Sequence, residues 1–174
     1  KSQWTVHNAT LVGRGKADTR FGGGRGWNSR DEAAPNVHNS IFAESAEGLL
    51  IDNDGNAEFT SGQADLRNSI FDCAAGPSAA NANANILFTD ASRNNSVEVA
   101  GLGSVSYTAD MNLNPRLRAT SVALSGVGPQ PSQFQTTTYR GAFGRADDLW
   151  GHKWTAIYGL GFLQGTWFPS GVVP

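Results

Sequence analysis

The phrase Asn-Ser-Ile-Phe occurs twice in this chain, in "VHNSIFAE" at 37–44 and "LRNSIFDC" at 66–73, and a looser copy, "VHNATLVG", stands at 6–13. Aligned on Asn8, Asn39 and Asn68, the copies lie 31 and 29 residues apart. A repeat near that period points to stacked units that bury a shared core, not to independent elements. Within each copy, Val37, Asn39 and Ile41 alternate with His38, Ser40 and Phe42, the period of a strand. Isoleucine suits a pleated, half-buried surface. Asparagine tolerates a bend and bonds backbone groups with its side chain. Stacked in register, Asn8, Asn39 and Asn68 can also bond one another as a ladder. The expectation is an all-β chain, with the phrase forming one wall of a β-solenoid in three successive turns.

The sequence around the copies fits that reading. "AESAEG" reads as a turn after the second copy and "LLIDN" as a second strand. The Ala/Asn tract "AAGPSAANANAN" at 74–85 reads as a loop, followed by a strand in "ILFTD". Residues 96–110 supply two more short strands, and no segment shows the pattern of an amphipathic helix. From Met111 the period is lost, and "NLNPRLRATSVALSG" reads as an irregular segment laid over the repeats. The residues beyond it concentrate Tyr139, Phe143, Trp150, Trp154, Tyr158, Phe162, Trp167 and Phe168. An aromatic cap on the last coil explains them more simply than a row of sugar platforms, since open strand edges invite pairing. The expected organisation is therefore three to four coils over 1–110 and a capping segment over 111–174.

Composition narrows the function classes. The chain has 174 residues, enough for one domain with a core. Charged residues are 16% and the net charge is −2, which gives no footprint for nucleic acid. No apolar stretch is long enough for a membrane-spanning helix, and no signal-peptide pattern is present. The chain starts at Lys1 inside the strand-like "WTVHNATLV", so the expectation is that a leader or further upstream sequence has been removed. Cys73, the single cysteine, has no partner for a disulfide, and its apolar setting suggests an inert thiol.

The coil phrases, followed by "NLNPRL", "YRGAF" and "WGHKWT", resemble the C-terminal part of secreted bacterial proteins with a right-handed parallel β-helix of the pectate-lyase type. The stretch between "NP" and "YRGAF" differs from the Pro- and Ser-rich phrase of that group. The resemblance implies a β-helix and an extracellular or cell-surface location. It implies no activity, because most members have none assigned and a fold does not define a function.

Four constellations carry candidate chemistry. Asp52, Asp54, Asn56 and Glu58 alternate in "IDNDGNAEF" and offer oxygen ligands for calcium, although the glycine and final glutamate of a calcium loop are misplaced. The Gly-rich first-coil loop carries Arg14, Lys16, Asp18, Arg20, Arg25, Trp27, Arg30, Asp31 and Glu32. Arg25, Trp27 and Arg30 are its candidate ligand-binding residues, with Trp27 exposed to stack on a sugar. The plainer reading of the loop is a set of mutually paired surface charges. His7 and His38 occupy equivalent positions, about one strand spacing of 4.8 Å apart. They form a candidate two-His metal site or pH-sensitive pair, with Arg67 next in the row. Asp147 and Asp148 are adjacent, which places them on opposite faces of a strand and gives no support for a glycosidase pair.

No catalytic residues follow from these patterns. The leading expectation is a non-catalytic extracellular structural module of a surface, matrix or filament protein, with self-association or upstream coils as its partner. The alternative is a polysaccharide lyase or glycosidase fragment, or a carbohydrate-binding module.

Overall fold

The structure, a computed structural model, describes residues 2–19, 24–52, 56–77, 86–87, 89–107, 113–145, 148 and 158. The chain is mostly β, and its main sheets are parallel. Three successive segments each lay down three strands. The first gives β1 (Gln3–His7), β2 (Thr10–Val12) and β3 (Arg25–Ser29). The second gives β4 (Ala34–His38), β5 (Ile41–Ala43) and β6 (Glu47–Ile51). The third gives β7 (Asp65–Arg67), β8 (Ile70–Asp72) and β9 (Ala75–Pro77). Pairing runs across segments, as β1-β4-β7, β2-β5-β8 and β3-β6-β9. The repeated phrase falls in register: Thr10, Ile41 and Ile70 form one file, and Leu11, Phe42 and Phe71 the next.

Between the first and second strand of each segment stands the repeated asparagine, in the left-handed region at φ 56° for Asn8 and 52° for Asn39 and Asn68. L-residues pay for that conformation, and asparagine pays least after glycine. A fourth copy exists. Asn94 has φ 50°, Arg93 O accepts from Asn68 N at 2.8 Å, and Ser96 pairs in parallel with Ile70. The Arg93–Val97 stretch thus repeats Arg67–Phe71 without its large apolar residues.

The side-chain ladder runs one residue beyond the asparagines. Ser40 Oγ accepts from Ala9 N at 3.2 Å, Ser69 Oγ from Ser40 N at 3.2 Å, and Asn95 Oδ1 from Ser69 N at 3.0 Å. Each hydroxyl then donates to the carbonyl two residues back, at His38 and Arg67. The left-handed corner interrupts the backbone pairing there, and a short polar side chain supplies the missing acceptor.

Strands β5 and β8 are buried on both faces, which explains the apolar runs Ile41-Phe42-Ala43 and Ile70-Phe71. Inside, Phe42 stacks on Phe71 at 4.6 Å, among Val37, Leu49, Ile51 and Leu66. Outside, Ile41, Ala43 and Ile70 meet Ala100, Leu102, Leu117 and Ala123. That covering layer contains the antiparallel pair β10 (Leu102–Val105) and β11 (Leu113–Leu117). It begins at Ala100, and β11 lies in the segment that follows 111.

Three local expectations differ from the structure. "NLNPRL" supplies strand β11, because Leu117 is buried against Ile41 and Ile70. The tract at 74–85 begins as strand β9, whose Pro77 sits on a sheet edge, where a missing N–H is tolerated. Ile86 and Leu87 are helical and not extended, with Leu87 buried in the inner core. A five-residue helix α1 (Asn56–Thr60) also buries Phe59 there, and it is too short to show a helical period.

Candidate functional site

The outer face of β1-β4-β7 carries the file His7, His38, Arg67. The His7 and His38 rings stack with centroids 4.7 Å apart and planes 7° from parallel, as the repeat spacing requires. Phe134 closes on the other side of His7 at 4.4 Å. It belongs to a strap, residues 126–139, that crosses the row of asparagines. Gly128 N donates to Asn39 Oδ1 at 2.8 Å, and Asn39 Nδ2 donates to Gly128 O at 3.4 Å. Asn94 Nδ2 donates to Gly126 O at 3.2 Å, and Asn8 Nδ2 to Thr137 Oγ1 and Tyr139 O, both at 2.8 Å. Among the described residues, one bond joins two of the corner asparagines, from Asn94 Nδ2 to Asn68 Oδ1 at 3.1 Å. The asparagines therefore serve mainly to dock the strap. Gln130 closes the strap on itself, exchanging two bonds with the Thr137 backbone at 2.8 and 3.0 Å.

Beneath the strap lies a cleft of about 580 Å³, lined by His7, His38, Arg67 and Asn68 below and by Gln130 and Gln133 above. A second cavity of about 350 Å³ lies across Phe134, where Asn8, Tyr139 and Asp148 contribute polar groups. Burial pushes the His7 imidazole below its ordinary value, and the neighbouring His38 pushes it further. Burial also lowers His38, with Asp65 and Arg67 pulling in opposite directions. Both shifts favour the neutral imidazole, and the Nδ1 atom of His7 is buried without a hydrogen-bond partner. Asp65 is held by Arg67 and by Arg93. The histidine file was legible from the repeat spacing. The strap was not, because its contacts come from a segment with no period.

The other candidate residues disperse. Trp27 is half-buried and packs on the inner core, parallel to Phe42 at 6.0 Å and edge-on to Phe59 at 6.0 Å. The exposed indole beside it is Trp4. Arg25 Nε meets Glu47 Oε2 at 2.7 Å, its cross-strand neighbour, and Arg30 Nε lies 2.9 Å from Asp31 and 3.7 Å from Asp52. Asp52 follows β6, whereas Glu58 is buried in helix α1. Asp54 lies outside the described residues, as do Arg20, Asp147, Trp150, His152, Trp154, Phe162, Trp167 and Phe168, and the side chain of Asn56 is likewise outside the description. Among the described residues no group of three or more His, Cys, Asp or Glu converges to hold a metal ion.

Cys73 is partly buried, with Sγ 3.5 Å from Phe42 O. Burial raises its pKa and keeps the thiol protonated. Lys16, in the loop after β2, pairs with Asp72 and lies 4.0 Å from Glu44. Burial opposes its charge, but the two carboxylates outweigh that and raise its pKa.

No family model matches the chain, and neither a curated protein nor a solved structure matches it. Fold and site define it as a mostly β protein of parallel sheets, with a strapped polar cleft on one of them. No helix among the described residues is long and apolar enough to cross a membrane.

Proposed function

We propose that this chain is a non-catalytic structural module of an extracellular or surface protein, built as a right-handed parallel β-helix that is extended by adding strands at one end. The carrying observation is that β1, β2 and β3 all stand at the same side of their sheets, each with one neighbour among the described residues. That edge exposes Trp4 at 42% and Leu11 at 41%. Three strand edges, two of them carrying exposed apolar side chains, form a template for more strands. The opposite side is different, since Ser96 already pairs with β8. The occupant that fits the edge is therefore another set of exposed strand edges.

With the chain alone, a second copy is the available partner, meeting edge to edge in a closed pair. The test is native mass by light scattering together with electron microscopy, over a range of concentrations. The expected result is a concentration-dependent dimer that a Trp4→Lys, Leu11→Lys double variant disperses. A wild-type chain that stays monomeric at every concentration would overturn the assembly reading. Location is tested separately, by protease shaving of intact cells that express the native gene. Protection from the protease would contradict a surface position.

A further inference from the structure

The file under the strap has a charge arrangement that the structural role does not use. Every packed element contributes. His7 comes from β1, His38 from β4, and Asp65 and Arg67 from β7. The 3-10 turn Ala91–Arg93 and its N-cap bring Arg93 and Asp90. The strap brings one titratable group, Tyr139, whose phenol is pushed up to about 12 by burial and by Asp148. Asp148, beyond Phe134, already accepts from Tyr139 Oη at 3.2 Å and Gly144 N at 2.6 Å.

While both imidazoles are neutral, the charges near the file balance. Arg67 and Arg93 share Asp65, and Arg93 Nε lies 3.3 Å from Asp90. Protonating His7 and His38 changes this to four cations against two carboxylates that are already engaged. Two stacked imidazolium rings 4.7 Å apart, in line with a guanidinium, repel one another and have no spare carboxylate facing them. The cleft in front of them is open, and Asn68, Gln130 and Gln133 line it with side-chain amides. Metal binding fits this geometry poorly. Parallel rings at strand spacing cannot both bring a nitrogen within about 2.1 Å of one ion without leaving the stack.

We propose that the His7, His38 and Arg67 file is a binding site for an oxyanion, a sulfate or a sulfate ester, that fills when the two imidazoles are protonated. The ion supplies the negative charge that the surrounding elements lack. Linkage makes the effect reciprocal: acid strengthens anion binding, and the anion makes the imidazoles harder to deprotonate. The proposal stands independently of the structural reading, since it concerns a face that edge-to-edge association leaves open.

Sulfate is the right probe because it stays a dianion while histidine titrates. The experiment follows the imidazole resonances of the whole chain from about pH 5 to about pH 8 in sodium sulfate and in sodium chloride of equal ionic strength. His152 gives a third resonance for comparison. His7 and His38 are expected to titrate at higher pH in sulfate than in chloride. Calorimetric affinity is expected to be about tenfold greater at about pH 5.5 than at about pH 7.5. Arg67→Gln should weaken binding at both, Arg67→Lys should restore part of it, and His38→Gln should flatten the pH dependence. A sulfated polysaccharide used in place of the ion separates the sources. Tight binding of the polymer alone, still lost in Arg67→Gln, assigns the site to a sulfate ester, and equal occupancy by the free ion assigns it to inorganic sulfate. Identical histidine titrations in sulfate and chloride, or binding that survives both Arg67→Gln and His38→Gln, would overturn the proposal.

Discussion

Asn39 has two tasks, and separate substitutions divide them. Its backbone turns the corner at φ 52°, and its amide holds Gly128 by two bonds. Asn39→Gly keeps the corner and loses the amide, so it should cost about 1–2 kcal/mol of stability. Asn39→Ala loses the amide and also forces an alanine into the left-handed region, adding roughly 1–2 kcal/mol. Urea unfolding of the two variants checks this, and equal midpoints would remove the backbone from the explanation. The histidine pair sets a pH window at the same scale. Both folded pKa values lie below the ordinary 6.5, so the folded state binds fewer protons than the unfolded chain. The stabilisation is complete above pH 6.5 and is lost as pH falls from there through the lowered folded values. Urea midpoints in chloride should decline over that window, and His7→Gln with His38→Gln should flatten the decline.

At the level of elements, the strand pair β5 and β8 shows what the sequence made readable. Ile41 and Ile70 pack outward while Phe42 and Phe71 pack inward, so one short phrase serves two cores. Phe71 is fully buried, and Phe71→Ala should cost about 3–5 kcal/mol through lost transfer energy and the cavity left under Phe42. Thermal unfolding measures it, and a loss below about 1 kcal/mol would mean the stack is loosely packed. The repeat was legible because identical neighbours in a file demand similar residues, so sheet register was written as sequence period. The fourth copy escaped because Asn94 and Asn95 keep the corner and the ladder, while Ser96 and Val97 stand where the earlier copies place their core residues. The strap and β11 escaped for a different reason. Their partners lie across long sequence separations, as Gly128 to Asn39 does, and a strand that buries against a distant sheet leaves no local period.

Across the whole molecule, Asp72 joins three parts that are far apart in sequence. It ends β8, pairs with Lys16 in the loop after β2, and accepts from Ala100 N at 2.9 Å where the covering layer begins. It follows Val12 and Ala43 in its file, so a carboxylate stands where the earlier segments place apolar groups. That exchange fits its position, because the third segment is where the chain turns to cover the outer face. The two links separate by substitution. Asp72→Asn keeps an oxygen for Ala100 N and loses the ion pair, and with Lys16 partly exposed the expected cost is below about 1 kcal/mol. Asp72→Ala also leaves the Ala100 amide without its acceptor in a buried place, which should cost about 1–3 kcal/mol. Amide hydrogen exchange distinguishes a local from a global effect. In Asp72→Ala, protection should fall first at Ala100 and along β10, while the amides of β4 and β5 keep theirs. A uniform loss across all strands would show that the covering layer and the parallel sheets unfold as one unit, with Asp72 as an ordinary buried contact and not a tie between separable layers.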